Sequence, residues 1–313
     1  MDPSRLAALG DGDWPEDLRA GFVAIVGRPN AGKSTLINAM VGEKIAIISN
    51  RPETTRRAIR GVVHREAGQL VLVDTPGLHK PRTLLGQRLN EVVHESLDDV
   101  DAVIVCLPAD EKIGPGDRFV TNLAFRSRAP VVAAVTKIDR VRPEQLIEKL
   151  LAVSELADFA EIVPVSAVRG EQVEKLVDLL VGIMPESPPL YPREQVTDES
   201  DEIRVAELIR EAALEGVRDE LPHSIAVVVD DVEEREGKGG RPGVLAIYAS
   251  LYVERDSQKA IVIGRRGTRL REVGTRARHE IEELLQRRVY LDLHVKVAQD
   301  WQRDPKKLGR LGF

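Results

Sequence analysis

A chain of 313 residues, 42% hydrophobic and 31% charged, has room for about two domains with cores of their own and is not the composition of a disordered or fibrous protein. No run approaches the roughly 18–20 consecutive apolar residues of a membrane span, acidic residues around Trp14 stand where a signal peptide needs an apolar centre, and the single cysteine, Cys106, excludes an intrachain disulfide, so a cytoplasmic, reducing location is expected. The net charge of −6 is unevenly spread: Arg255 to Phe313 holds 15 Lys/Arg against 8 Asp/Glu, a local +7, which leaves −13 for the rest and directs any contact with nucleic acid to the C-terminal part.

Residues 1–20 lack periodic apolar positions and read as a flexible extension. From Phe22 onward, short apolar runs (Phe22–Val26, Gly61–His64, Leu70–Val73, Ala102–Leu107, Val131–Val135, Ile162–Val165) alternate with helical patterns. That alternation predicts an α/β domain over 21–184, a mainly parallel sheet with helices on both faces and a ligand site at the carboxyl ends of its strands.

Polar clusters stand where this rule requires them. After the first run comes Gly27-Arg-Pro-Asn-Ala-Gly-Lys-Ser34, the GxxxxGK[ST] spacing of a phosphate-binding P-loop. Its glycines let backbone N–H groups turn inward, Lys33 supplies a point charge for β- and γ-phosphates, and Ser34 offers a hydroxyl to Mg²⁺. Asp74-Thr-Pro-Gly77 follows the third run: a carboxylate suited to a cation's water shell, then a glycine whose backbone can approach a γ-phosphate. Thr136-Lys-Ile-Asp139 and Ser166-Ala167 follow the fifth and sixth runs. A carboxylate at Asp139 accepts from the N1–H and amine of guanine while the Lys137 stem packs along the ring, and adenine lacks that pair of donors.

The proline-rich stretch 185–200 ends the helical run Val173–Ile183 and predicts a stiff, extended linker to a second domain over 201–313. There a helical pattern (Glu202–Glu220), two β-branched runs (Ile225–Asp230 and Val244–Val253) around a long loop Glu233–Gly243, the segment Ile263-Gly-Arg-Arg-Gly267, a basic helix Thr268–Arg287 and a strand Tyr290–Val297 give the order αββααβ. That order with a GxxG loop between two helices resembles an α+β type II KH domain. The loop, Ile263, Gly264, Arg265, Arg266, Gly267 and Thr268, is then the candidate RNA-binding segment, with the arginines facing phosphates. Aromatic residues are only 4% of the chain, so base stacking is not expected to be the main grip.

Together, Gly27–Ser34, Asp74–Gly77, Thr136–Asp139 and Ser166–Ala167 resemble the successive nucleotide-binding motifs of translation-factor-type GTPases, and Asn50-Arg-Pro-Glu-Thr-Thr-Arg56 resembles the switch I segment of the Era-like family of bacterial ribosome-assembly GTPases. The resemblance covers nearly all of 21–313. It implies a KH-domain GTPase that converts GTP to GDP and phosphate, binds 16S rRNA near its 3′ end and acts in small ribosomal subunit biogenesis. It further implies GTP/GDP binding through Gly27, Asn30, Ala31, Gly32, Lys33, Ser34, Thr35, Asp74, Thr136, Lys137, Asp139, Ser166 and Ala167, with Mg²⁺ on Ser34, Thr55 and Asp74 (Thr54 being the alternative to Thr55) and catalytic roles for Lys33, Thr55 and Gly77. K⁺ held with the help of Asn30, a monomeric state and a peripheral inner-membrane contact complete what the family implies.

Two positions depart from the wider GTPase pattern: Thr136 stands where an asparagine is usual, and Leu78 where Ras-like proteins carry a water-positioning glutamine. The departures leave open a nucleotide-sensing RNA-binding protein with little hydrolysis of its own, and the phosphate loop taken alone is compatible with an ATPase or small-molecule kinase. His79 and Lys80 fall in the expected switch II; His79 reads as a solvated loop histidine, and neither is taken as catalytic.

Overall fold

The computed structural model describes residues 14–48, 55–78, 83–215, 224–236 and 243–313. Thr54, the start of the switch I segment at Asn50, and His79 and Lys80 lie outside the described residues. The chain divides mainly at Asp198/Glu199 into two compact units.

The first unit is a six-stranded sheet in the order β2-β3-β1-β4-β5-β6. Its strands are β1 (Arg19–Gly27), β2 (Ile59–His64), β3 (Gly68–Asp74), β4 (Ala102–Pro108), β5 (Val131–Thr136) and β6 (Glu161–Pro164). All neighbours run parallel except β2 and β3, which form an antiparallel hairpin. Strands β3, β4 and β5 are buried along their full length, as continuous apolar runs covered on both faces should be. Helices α1 (Lys33–Val41) and α5 (Val173–Ile183) pack one face through Leu36, Ile37, Leu176 and Leu180. On the other face α2 (Leu84–Asp98), α3 (Pro115–Ala124) and α4 (Pro143–Ser154) contribute Val93, Leu97, Val120, Leu123 and Val153. Cys106, the bland apolar residue of β4, is fully buried and unpaired, and burial pushes its thiol up to about 12.

Two expectations change here. Strand β1 begins at Arg19, because Arg19 and Ala20 pair with Gly68 and Gln69 of β3, and Leu18 is buried, so the tail end of the expected 1–20 extension belongs to the sheet. The proline-rich segment is not a free connector. The Ser187 N–H donates to Leu18 O at 3.0 Å, and the side chain of Gln69 accepts from the N–H groups of Leu190 and Tyr191 at 2.7 and 2.9 Å while donating to Tyr191 O at 2.7 Å. Val62 N–H donates to Val196 O at 2.8 Å and the Thr197 hydroxyl to Arg60 O at 2.7 Å, so residues 196–197 add a short antiparallel pairing outside β2. Prolines leave few N–H groups to satisfy, which suits a strap lying on a sheet edge.

In the second unit, α6 (Asp201–Leu214), capped by Ser200, is followed by β7 (Ala226–Arg235), β8 (Val244–Val253), α7 (Asp256–Ile263), α8 (Thr268–Leu285) and β9 (Val289–Val297), with a final short helix α9 (Pro305–Arg310). The sheet order is β7-β8-β9, β7 antiparallel and β9 parallel to β8. Strand β7 runs to Arg235, past the expected end at Asp230, because register resumes beyond a bulge between Val229 and Asp231. Val262, Val273, Ala277, Ile281, Val289, Val295 and the fully buried Trp301 are among its core residues.

Candidate functional site

At the end of β1 the chain turns tightly: a Cβ on Gly27 would sit 3.1 Å from the Cys106 carbonyl oxygen and 3.2 Å from the Ala31 Cβ. Asn30 and Gly32 take left-handed backbone angles (φ 61° and 90°), and α1 begins at Lys33. The Lys33 side chain is buried, and its ammonium donates to the carbonyls of Gly27 at 3.4 Å and Arg28 at 3.2 Å, so the loop wraps around a cation at a helix N-terminus. Backbone N–H groups, dipole and ammonium together make an anion cradle. Thr35, in the first turn of α1, is half-buried.

Beside this cradle three oxygens meet. Ser34 Oγ donates to Asp74 Oδ2 at 2.8 Å, Thr55 Oγ1 to the same oxygen at 3.0 Å, and the two hydroxyls are 3.0 Å apart. Asp74 is fully buried; desolvation pushes its carboxyl up while Lys33 and the two hydroxyls oppose that, and desolvation pushes Lys33 down. The other carboxylate oxygen, Asp74 Oδ1, is buried without a hydrogen-bond partner. An orphaned carboxylate oxygen next to two hydroxyls is an all-oxygen donor set for a hard cation. Among the described residues no cluster of three His, Cys, Asp or Glu could hold a metal, so an ion here would complete its shell with phosphate or water oxygens. Thr75 anchors the turn by donating to Ile25 O at 2.7 Å, and a Cβ on Gly77 would lie 2.8 Å from the Pro29 nitrogen, so the expected switch II start lies against the phosphate loop. Leu78 is buried in the apolar layer with Val26 and Val105, which leaves no water-positioning carboxamide at that position.

The third cluster stands at the ends of β5 and β6. Thr136 Oγ1 donates to Ala31 O at 2.7 Å; Lys137 follows with a left-handed backbone (φ 59°), which opens a one-turn 3₁₀ segment, Ile138–Arg140. Ser166 Oγ donates to Asp139 Oδ1 at 2.6 Å, and this bond holds the Asp139 carboxyl below the usual range. Asp139 is therefore a half-buried, ionised acceptor two residues beyond Lys137, with half-buried Ala167 on the adjoining turn.

Sequence reasoning missed the groups that brace these motifs. Arg28 donates to Asp117 at 2.7 Å and to Glu111 at 2.7 Å, so the phosphate loop is tied to the β4–α3 connection and the first turn of α3. Buried Lys149 of α4 donates to Glu111 O at 2.8 Å, and burial pushes it down. Asn38 in α1 accepts from the N–H groups of Ile45 and Ala46 and donates to Ala46 O at 2.7 Å, which shapes the chain leaving α1. For Arg28 and Lys149 the only available signal was residue type, since their partners lie far apart in the chain.

In the second unit the GxxG segment is a tight turn between α7 and α8, with Gly264 (φ 73°), Arg266 (φ 54°) and Gly267 (φ 75°) at positive φ. A Cβ on Gly264 would lie 2.7 Å from the Arg269 Cβ, so that position requires glycine. Arg265, Arg266 and Thr268 are exposed, Ile263 is half-buried, and the Thr268 hydroxyl donates to Arg265 O at 3.0 Å. Beside the turn a groove of about 900 Å³ runs between α8 and β9, lined by Gly267, Leu270, Gly274, Arg278, Leu291 and Leu293. Arg269 does not face it: its guanidinium donates to the carbonyls of Ala213 and Glu215 at the end of α6.

Two protein-family models match, one described as a 50S ribosome-binding GTPase over residues 22–137 and one as a KH domain over 220–302. The chain is 59% identical over 310 residues to GTPase Era of a Nocardioides species, a match spanning 97% of this chain and 99% of the relative. It is 60% identical over 300 residues to GTPase Era of Mycolicibacterium smegmatis, covering 95% and 99%. Among solved structures it superposes with TM-score 0.89 on an Aquifex aeolicus Era variant bound to GDP·AlF4⁻ (36% identity, 94% of this chain and 99% of that one). It also superposes, with TM-score 0.87, on Era in complex with MgGDPNP and nucleotides 1506–1542 of 16S ribosomal RNA (37% identity, 94% and 99%). With a P-loop sheet carrying the phosphate and base clusters and a KH fold carrying the GxxG turn, the chain belongs to the Era family of GTPases.

Proposed function

We propose that this GTPase binds GTP with Mg²⁺ at the P-loop cluster, binds 16S rRNA near its 3′ end through the GxxG turn and adjoining groove, and acts in small ribosomal subunit assembly. The observation that carries the nucleotide half is the meeting of Ser34, Thr55 and Asp74 within 3.0 Å beside buried Lys33. Lys33 lies against the β/γ-phosphates and, with the loop N–H groups, absorbs charge that develops on the transferring oxygens as water attacks in line. The Mg²⁺ held by Ser34, Thr55 and Asp74 supplies further charge neutralisation there. Gly77, packed on Pro29, brings its backbone to the γ-phosphate, and Thr55 orders with it. Lys137 and Asp139 hold the guanine, with Asp139 kept ionised by Ser166.

Leu78 contributes no polar group, so hydrolysis draws on a further cation or a partner, and Asn30, at positive φ within the loop, is the residue assigned to help hold K⁺ beside the phosphates. Equal rates in K⁺ and Na⁺ would remove that role. A monomeric, cytoplasmic protein with a peripheral inner-membrane fraction is the accompanying reading; no described helix is long and apolar enough to cross a membrane.

The deciding experiment is GTP hydrolysis by the full chain with and without a single-stranded RNA of the 16S 3′ end. RNA-stimulated turnover that disappears in the R265E/R266E variant, with RNA-free turnover retained, supports both halves. Turnover absent with K⁺ and RNA present supports a nucleotide-sensing RNA-binding protein instead. The D74A variant and EDTA should each abolish hydrolysis.

A further inference from the structure

Helix α6 ends at Leu214, and the last carbonyls of an α-helix have no partners within the helix. At this end one side chain from elsewhere in the unit takes two carbonyls: Arg269 Nη2 donates to Ala213 O at 3.2 Å and to Glu215 O at 2.7 Å. A cation there also faces the negative end of the helix dipole. The remainder of the guanidinium is turned inward too, since Arg269 Nε is buried without a hydrogen-bond partner.

Arg269 is the second residue of α8, which begins directly after the GxxG turn. Its main chain lies against the start of that turn: a Cβ on Gly264 would stand 2.7 Å from the Arg269 Cβ and 3.0 Å from its nitrogen. One residue therefore touches the turn with its backbone and α6 with its side chain. Between Gly264 and Arg269 lie the exposed Arg265 and Arg266, the second held at φ 54°, a backbone that a residue with a Cβ adopts only where its surroundings impose it. Two turns further along α8, Arg276 forms an ion pair with the Glu215 carboxylate. Arg271 and Arg278, by contrast, line the groove. The positive charge of α8 is thus divided between two faces, and Arg269 lies on the one that meets the end of α6.

We propose that Arg269 is a positioning residue for RNA binding: it fastens the GxxG turn to the end of α6, which holds Arg265 and Arg266 where phosphates meet them, and it makes no RNA contact of its own. The inference rests on the reading of the GxxG turn as the RNA site. Releasing the guanidinium frees the first turn of α8, and the aim of the two exposed arginines is lost with it.

The test is binding of a fluorescent single-stranded RNA of the 16S 3′ end to the full chain across a salt series. R269M keeps the aliphatic stem and removes the guanidinium. It should bind the RNA roughly three- to ten-fold more weakly, at temperatures where circular dichroism shows it folded, and R269K should recover most of the affinity. The slope of log affinity against log salt should be unchanged in R269M and flatter in R265E/R266E, because each phosphate contact to a single strand contributes about 0.7 to that slope. A slope flattened by R269M would make Arg269 a phosphate contact, and unchanged affinity in folded R269M would leave it a contact of the fold alone; either result overturns the inference. Should R269M fail to fold, the wild-type chain decides by NMR. On RNA addition the Nε signals of Arg265 and Arg266 should move while that of Arg269 stays, and an equal shift at Arg269 overturns the proposal. Failure of the RNA reading itself would look different, since the wild type would then bind no RNA.

Discussion

The Arg28 guanidinium donates to Asp117 Oδ1 at 2.7 Å, so the phosphate loop is fastened to the first turn of α3 by a pair 89 residues apart. The second oxygen of Asp117 accepts from the Gly114 N–H at 2.8 Å, which closes the start of that helix. D117A therefore removes a buried acceptor and a helix cap together and should lower the stability of the first unit by about 2–3 kcal/mol. It should also weaken GDP binding several-fold, by loosening the Arg28 carbonyl that receives Lys33. Urea denaturation with and without GDP measures both. Unchanged nucleotide affinity would reduce the pair to a structural contact.

Asp139 is expected to select the base by its charge. Since the Ser166 bond lowers its carboxyl, that bond favours the ionised form: its contribution is present above the ordinary carboxylate pKa of 3.8 and is lost as pH falls through the lower folded value. The site should hold GDP undiminished down to the acid limit of the fold, and S166A should move the loss of binding to higher pH. D139N replaces an acceptor by a carboxamide that can donate, so preference should shift from guanosine to xanthosine nucleotides by at least ten-fold, read by competition.

The side chain of Gln69 is fully buried and makes three hydrogen bonds to Leu190 and Tyr191. Q69A leaves those backbone groups unpaired and should destabilise the first unit by about 2–4 kcal/mol. Limited proteolysis gives the sharper readout, because cleavage between 185 and 198 should become much faster in the variant. A wild-type segment cut as quickly as the variant would mean that the strap is not held in solution.

Cys106 should report unfolding. Burial raises its thiol to about 12, so the native protein resists thiol reagents at neutral pH, and modification should follow the rate of opening. A group whose folded pKa is raised stabilises the fold fully below its unfolded value of 9.0 and loses that contribution as pH rises toward the folded one. Stability to urea should therefore decline above pH 9, and less steeply in C106A. Rapid labelling of the native chain at pH 7 would contradict this burial.

What was legible in the sequence was whatever is written within a few consecutive residues. Gly27–Ser34, Asp74–Gly77, Thr136–Asp139 and Ser166–Ala167 each follow a strand run, and the strand order brings them to one edge of the sheet. The GxxG turn was readable for the same reason, because positive φ at Gly264 and Gly267 needs those residue types there. The long-range pairings were not readable. Nothing near Arg28 announces Asp117, and nothing near Gln69 announces Tyr191, since either side chain could equally face water. Proline content pointed to an extended path for 185–200, but extension alone does not say whether a segment spans open solvent or lies on a strand. Arg19 and Ala20 looked like part of a tail because pairing with Gly68 and Gln69, and not an apolar pattern, recruits them to the sheet.

The pairing of residues 196–197 with β2 also bears on where this protein can be divided. A truncation at residue 184, at the end of the last helix of the first unit, would uncover the outer edge of β2 and remove the three hydrogen bonds of the buried Gln69 carboxamide to Leu190 and Tyr191. Such a fragment carries a bare strand edge of the kind that joins chains together, and it should precipitate or self-associate. A truncation after Asp198 retains the cover, so the shorter fragment should be the less soluble of the two.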